Sequence, residues 1–216
     1  MADDDVVRTL LDRHGRTFAD ELGLDLRKGA PSALFGLLLF AVLSSARIRS
    51  VNATEGTKAL LDAGWSNVKT LAETTWEQRV RVLNQNGYAR YDERTASMLG
   101  DLTEQVQDRW GGDLRRMRKE ADGDVQALKG LLTEHKGLGP VGADIFLREV
   151  QQCWPEVRPY VDKRARAAAK ALGLPVKAAA LAALVADDDA TRLVAALVRT
   201  SLEEDAAEVK KKAARG

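Results

Sequence analysis

The spacing of apolar residues along the chain predicts helices from one end to the other. Val6, Leu10, Leu11 and Phe18 lie on one face of an amphipathic helix predicted over residues 3–22. The same periodicity predicts helices over residues 50–61, 67–72, 75–83, 91–110, 163–172, 176–186 and 190–208, and a charged turn or short helix over residues 114–120. Asp124 and either Thr74 or Thr75 are expected N-caps, and Gly173 is expected to end the helix over residues 163–172. Because no segment combines strand alternation with hairpin-turn residues, the predicted fold class is all-α. The basic residues from 210 to 216 are expected to form a frayed tail.

Residues 33–43 are almost continuously apolar, which predicts a helix that is buried on most sides and central to the domain. Pro31 suits the first turn of this helix, and Ser32 is its predicted N-cap. The run is shorter than the ~20 residues that cross a bilayer. The acidic N-terminus also lacks the apolar core of a signal peptide. We therefore expect no membrane association and a cytoplasmic location.

The cysteine and histidine counts limit the cofactors that the chain can bind. Cys153 is the only cysteine among 216 residues, so an internal disulfide and a cluster held by four thiolates are both excluded. His14 and His135 are the only histidines, and we expect no metal site built from side chains. The net charge of +1 gives no overall basic field, so nucleic-acid binding would require a local cationic surface.

Two glycines mark a tight turn at Gly137 and Gly139, between apolar helical patterns over residues 125–132 and 143–150. The first amide groups of the following helix have no intrahelical acceptor and carry partial positive charge. Such a turn can bind a phosphate through its backbone alone. An ordinary helix connection that ends on Gly137 fits the same residues equally well.

A single carboxylate, Asp162, lies further along in a basic segment. Between residues 158 and 170 it is the only acid among five cations, which are Arg158, Lys163, Arg164, Arg166 and Lys170. Such a run suits DNA phosphates, although a solvated helix face gives the same pattern. Asp162 is also a suitable N-cap for the helix predicted to begin at Lys163.

In these two segments the chain resembles the helix-hairpin-helix DNA glycosylases, the superfamily of endonuclease III, the adenine-mismatch glycosylases and the alkylpurine glycosylases. Gly137-Leu138-Gly139 matches the hairpin of that family, and Val161-Asp162 matches the pair that carries its catalytic aspartate. A weaker similarity covers most of the chain from about Leu34 onward. Within it, residues 42–54 resemble the segment near the family's inserted wedge, and residues 86–96 resemble the segment ahead of the hairpin.

The resemblance implies a two-lobed helical fold with an active cleft between the lobes. Residues 32–133 would form a central helical bundle. Residues 1–31 and 134–216 together would form a second lobe that carries the hairpin end and the aspartate. The resemblance also implies a monomer, associated with the nucleoid, whose partner is double-stranded DNA that contains a damaged base.

The activity that the resemblance implies is base excision. The enzyme would flip a damaged base and hydrolyse its N-glycosidic bond, with Asp162 stabilising the positive charge on the sugar and positioning water. Bifunctional relatives carry a nucleophilic lysine where this chain has Val141, so the implied enzyme is monofunctional and lacks AP lyase activity. An alkylated base is the first expected substrate. The chain departs from many relatives because it cannot hold an iron–sulfur cluster.

Further residues receive roles through the same resemblance. The expected DNA contacts are Lys136, Gly137, Gly139, Val141, Gly142, Arg47, Arg49, Lys163, Arg164 and Arg166, and the hairpin backbone could also hold a monovalent or divalent cation. Many relatives insert a glutamine into the duplex. This chain has none in that region, so either Arg47 or Arg49 takes the wedge role or the two are exposed loop residues. The expected base pocket comprises Ser44, Ser45, Tyr88 and Tyr91.

Three alternatives stay open. The chain could be a non-enzymatic helix-hairpin-helix DNA-binding protein, since it lacks both the lysine and the glutamine. It could be a bifunctional glycosylase and AP lyase that uses Lys136 or Lys163, although the Lys163 side chain is expected to point away from Asp162. It could also be an all-α protein-interaction domain in which the Gly-Leu-Gly turn is incidental.

Overall fold

The computed structural model describes residues 3–46 and 48–215, and the chain is helical across them, without a strand. The predicted all-α class is therefore confirmed. The first half forms α1 (Asp3–His14), α2 (Phe18–Glu21), α3 (Pro31–Ser44), α4 (Ser50–Asp62), α5 (Val68–Ala72), α6 (Trp76–Leu83), α7 (Asp92–Trp110) and α8 (Leu114–Glu120). The second half forms α9 (Val125–Thr133), α10 (Pro140–Val150), α11 (Lys163–Leu172), α12 (Ala178–Ala182), α13 (Ala190–Glu203) and α14 (Ala206–Ala213). None of these helices is both long and apolar enough to cross a membrane.

Helix α3 is the buried centre of one group of helices. Every residue from Ala33 to Leu43 is buried, as the apolar run predicts, and α3 packs against α4, α7, α8 and α10. Its N-cap is Ala30, and Pro31 occupies the first helical position. The prediction that Ser32 caps this helix is wrong, because Ser32 already lies inside the first turn.

Helix α13 is the centre of a second group. It packs against α1, α10 and α11, while α14 packs against α1 and α11. Helix α10 contacts α3 as well as α13. The helix that follows the Gly-Leu-Gly turn therefore joins the two groups, and its position determines how they meet.

Three predicted helices are shorter than expected or divided. The helix predicted over residues 3–22 ends at His14, and Thr17 begins α2 by accepting a hydrogen bond from the Asp20 amide at 3.0 Å. The helix predicted over residues 190–208 divides at Glu204, whose φ of 56° is left-handed. Of the helix predicted over residues 176–186, only Ala178–Ala182 is helical.

The predicted frayed tail is also wrong in part, because α14 extends to Ala213. Val209 and Ala213 lie four residues apart on one side of this helix, and both are buried. Their packing toward α1 and α11 orders a segment whose lysines alone suggested disorder.

Predicted helix ends are confirmed where a local cap determines them. The carboxylate of Asp124 accepts hydrogen bonds from the Gln126 and Ala127 amides at the start of α9. Thr75 begins α6 through a reciprocal capping box with Gln78. Gly173 ends α11 in a left-handed conformation, with a φ of 82°.

We expect Gly142→Ala to lower the free energy of unfolding by about 1–3 kcal/mol, because α10 approaches α3 too closely for a methyl group. A Cβ at this position would lie 2.2 Å from Ser45 Oγ and 2.6 Å from Leu138 Cδ1. Urea denaturation measures the change. Gly139→Ala is the matched control, since a Cβ there meets no atom within 4 Å. An equal loss in both variants would contradict the close packing of α10 on α3.

Candidate active site

The turn between α9 and α10 is a compact hairpin. Gly137 has a φ of 88°, which favours glycine, and a Cβ on it would come within 2.1 Å of the flexible end of the Met98 side chain and displace it. Leu138 is buried, and its amide donates to the His135 carbonyl at 3.1 Å. Gly139 is the N-cap of α10 and has open space in front of it.

The first turn of α10 has backbone amides without an intrahelical acceptor. Pro140 occupies the first helical position and has no amide proton, so the first donors without an intrahelical acceptor are the amides of Val141 and Gly142. The Val141 side chain is 64% exposed, whereas Gly142 is buried against Ser45. This geometry is compatible with a bound anion at the helix end.

His135 anchors the hairpin to α7. Its Nδ1 lies 2.8 Å from Gln105 Oε1, and its ring packs edge-on against Trp110 at 5.5 Å. Burial lowers the pKa of His135 to about 4, so the imidazole is neutral at physiological pH. Lys136, by contrast, is exposed, and its ammonium lies 3.2 Å from Asp101.

Asp162 is the N-cap of α11, as predicted, and is also one half of a buried ion pair. Its Oδ1 accepts a hydrogen bond from the Ala165 amide at 2.8 Å. Its Oδ2 lies 2.5 Å from Arg148 Nη1, and each of these two side chains is only 5% exposed. Both carboxylate oxygens are therefore held, one by α11 and the other by α10.

A cavity of about 720 Å³ opens beside this ion pair, and we call it the main cavity. Six of the residues selected from the sequence line it: Ser44, Ser45, Val141, Asp162, Lys163 and Arg164. The other lining residues are Phe18, Phe40, Ala46, Ile48, Ser50, Ala53, Asp144, Ile145, Arg148, Ala167, Val198 and Leu202. Three separate segments of the predicted site thus converge on one space. Lys163 and Asp162 both border this cavity.

The two tyrosines expected in the base pocket do not line the main cavity. Tyr88 is buried in the core, where its hydroxyl donates to the Leu43 carbonyl at 2.7 Å. Tyr91 lines a second cavity of about 290 Å³, together with Arg94, Met98 and Gly137. Assigning Tyr88 to the base pocket was wrong, because its hydroxyl is satisfied inside the protein and its ring is covered.

The expected arginine contacts have different surroundings. Arg49 is exposed at the N-cap of α4, and Arg47 lies outside the described residues. Arg166 is exposed but does not line the main cavity. At 100° per residue, Arg166 projects about 160° around α11 from Arg164 and about 60° from Lys163, both of which line the cavity.

Sequence reasoning missed two polar residues of the site, Asp144 and Arg148. Both lie on α10, four residues apart, so they share one side of that helix. The Asp144 carboxylate accepts hydrogen bonds from Lys129 and from the Tyr160 hydroxyl. Burial and the neighbouring Asp144 raise the pKa of Tyr160. Their four-residue spacing within a mostly apolar helix was the available sequence signal.

Across residues 3–46 and 48–215, one group of side chains comes close enough to share a metal ion: His14, Glu203 and Asp205. None of the three lines the main cavity. His14 Nε2 lies 2.9 Å from Asp205 Oδ2, and Arg13 Nε lies 2.6 Å from the same oxygen. The guanidinium beside this carboxylate opposes a further cation, so the cluster is best described as an ion-pair network that joins α1 to the start of α14.

Comparison of the chain with protein-family models, with curated proteins and with solved structures gave no match. Function is therefore argued from the geometry of the site.

We expect Arg148→Met to lower the free energy of unfolding by about 3–5 kcal/mol, because it leaves a buried carboxylate without its counter-charge. Adding Asp162→Asn should recover part of this loss, since the uncompensated charge disappears while a capping oxygen is retained. Urea denaturation of both single variants and the double variant gives the coupling energy.

Arg118→Met is the matched control for that prediction. Arg118 pairs with Glu156 near the surface, where its side chain is 36% exposed. Its loss should cost about 0–1 kcal/mol. Equal costs for the two arginine variants, or strictly additive effects of Arg148→Met and Asp162→Asn, would contradict a coupled buried pair.

Proposed function

We propose that the protein is a monofunctional DNA glycosylase of the helix-hairpin-helix superfamily. The observation that carries the proposal is the convergence of residues 44–45, Val141 and residues 162–164 on the main cavity. By the resemblance, residues 44–45 belong to the base pocket, Val141 occupies the position of the lyase lysine, and residues 162–164 include the catalytic aspartate. Residues 32–133 would form one lobe and the rest of the chain the other, and the cavity would be the cleft between them.

DNA binding would begin at the hairpin. The amides of Val141 and Gly142 are suited to hold a backbone phosphate, with or without a cation between them. Val141 belongs both to this helix end and to the cavity rim, so a duplex held there has the cavity within reach. Lys163 and Arg164 are exposed at the same rim and can contact neighbouring phosphates. The base must leave the duplex to enter the cavity.

Asp162 would then act on the sugar of the flipped nucleotide. Arg148 holds the carboxylate in place through the buried ion pair. An ionised carboxylate stabilises the positive charge that develops on the sugar and can orient a water molecule. Val141 cannot form a Schiff base, so water is the nucleophile in this proposal. The protein would work as a cytoplasmic, nucleoid-associated monomer.

A non-enzymatic DNA-binding protein is the second candidate, and the Arg148–Asp162 pair is the observation that favours it. A guanidinium 2.5 Å from the carboxylate offsets much of the negative charge that the reaction would use. The same hairpin and basic rim would then serve binding alone.

Substituting Asp162 by Asn separates the two candidates. We expect the single-turnover rate of base release to fall by about 10²–10⁴-fold, because the asparagine cannot stabilise the positive sugar. Duplex affinity should stay within about threefold, since the phosphate contacts are made by the α10 amides, Lys163 and Arg164, all of which the substitution retains. Base release is measured on duplexes with deaminated, oxidised, alkylated or mismatched bases, read with and without alkali.

Three results would change this assignment. Tight duplex binding with no release of any base would favour the non-enzymatic candidate. Strand cleavage without alkali would indicate that a lysine, and not water, is the nucleophile. Lys163 would be tested first because it lines the cavity. An unchanged rate of base release in Asp162→Asn would show that this aspartate takes no part in the reaction.

Placing a negative charge at the hairpin tests the phosphate site. We expect Val141→Glu to weaken duplex binding by about tenfold at low salt, because the carboxylate would repel a phosphate at the adjacent amides. Val176→Glu is the matched control, since Val176 is also an exposed valine and is not part of the cavity. Fluorescence anisotropy with a labelled duplex measures both. Similar losses in both variants would contradict a phosphate site at α10.

A further inference from the structure

The charges around the main cavity are predominantly positive. Arg148, Lys163 and Arg164 line it, against the two carboxylates Asp144 and Asp162. Each carboxylate is already paired, Asp162 with Arg148 and Asp144 with Lys129, which approaches from α9. Lys163 and Arg164 have no acidic side chain within 4.0 Å among the described residues. A cationic guest would therefore meet unpaired positive charge and no unpaired negative charge.

The aromatic residues of the cavity cannot compensate. Phe18 and Phe40 line it, but they are 3% and 2% exposed and stack on each other with centroids 5.3 Å apart. The guanidinium of Arg199 lies 4.1 Å from the centroid of the Phe18 ring. Recognition of a cationic base by cation–π contact requires an open ring face, and these rings present almost none.

Hydrogen-bond donors, on the other hand, are available. The hydroxyl of Ser44 and the Nε of Arg148 are buried and have no hydrogen-bond partner among the described residues. Both residues line the main cavity. The exposed donors of Lys163 and Arg164 at the rim, close to these two buried groups, suit a ligand that brings carbonyl oxygens or unprotonated ring nitrogens.

We propose that the base excised in this cavity is neutral and bears carbonyl groups, as deaminated or oxidised bases do, and is not a cationic alkylated purine. This inference rests on the glycosylase function proposed above. When the N-glycosidic bond of a neutral base breaks, the bonding electron pair leaves with the base, which departs as an anion. Water adds its oxygen to the anomeric carbon and releases a proton, which the base takes up. Cationic donors stabilise that anion. An alkylated purine cation departs neutral and gains nothing from them.

Reversing one rim charge tests the inference. Arg164→Glu replaces a cation that lines the cavity, and Arg166→Glu makes the same change about 160° around α11 from it. The readout is the ratio of kcat/KM for duplexes with uracil, hypoxanthine or 8-oxoguanine to that for duplexes with 3-methyladenine or 7-methylguanine. This ratio cancels the loss of general DNA affinity that both variants share.

We expect the wild-type protein to favour the neutral bases. Arg164→Glu should lower the ratio by about three- to tenfold, whereas Arg166→Glu should leave it within about twofold. Preferential release of the alkylated purines by the wild-type protein would overturn the substrate class and leave the glycosylase function standing. Equal effects of the two variants would overturn the role of the rim cations. Release of no base from any duplex would overturn the glycosylase function itself, and this inference with it.

Discussion

The buried ion pair between Arg148 and Asp162 is the interaction on which the candidate site depends. It joins α10, which begins at the hairpin, to α11, which carries the cationic residues of the rim. Burying two charges costs several kcal/mol per ion, and only close geometry with additional hydrogen bonds offsets that cost. The 2.5 Å contact and the hydrogen bond from the Ala165 amide meet this requirement for Asp162, whereas the Nε of Arg148 has no hydrogen-bond partner among the described residues. The pair therefore fixes the start of α11 relative to the hairpin.

Helix α10 has a different role along each part of its length. Its first turn has amides without an intrahelical acceptor, and Gly142 allows close contact with the end of α3. Its middle turns Asp144 and Arg148 toward the main cavity. Near its end, Glu149 is fully buried and accepts a hydrogen bond from the Ala19 amide at 2.9 Å, and burial raises the pKa of this carboxyl. One helix thus connects the hairpin, the cavity and the N-terminal segment, so a shift in α10 would disturb all three.

The sequence predicts those features that local physics determines. Apolar spacing identifies the helices, and short-range hydrogen bonds locate the caps at Asp124, Thr75 and Asp162. The break at Glu204 was missed because helix-forming residues continue through it. The decisive contact there is long-range, since the buried Asp205 meets Arg13 and His14 from α1.

The same limit applies to the cavity. Residues that a family pattern marks could be chosen from the sequence, and Ser44, Ser45, Val141, Asp162, Lys163 and Arg164 do line one space. The sequence could not pair Arg148 with Asp162, because 14 positions separate them. The N-cap role also accounted for the aspartate without a charged partner. Tyr88 was misassigned for a related reason. An aromatic residue next to a break between two helices suggests exposure. The Tyr88 hydroxyl instead donates a hydrogen bond to a backbone carbonyl that is distant in the sequence.

An ion-paired aspartate is compatible with glycosylase chemistry when the substrate is neutral. A rate rises only through interactions that are stronger in the transition state than in the ground state. With a neutral base, positive charge on the sugar and negative charge on the base both appear as the bond breaks. In the proposed reaction Asp162 would stabilise the first charge, and Lys163 and Arg164, which also line the cavity, would stabilise the second. A cationic base would bring positive charge into the ground state, where the rim cations oppose it. In this proposal the mixed charges of the main cavity serve charge separation, and Arg148 contributes by holding Asp162 in place through the buried ion pair.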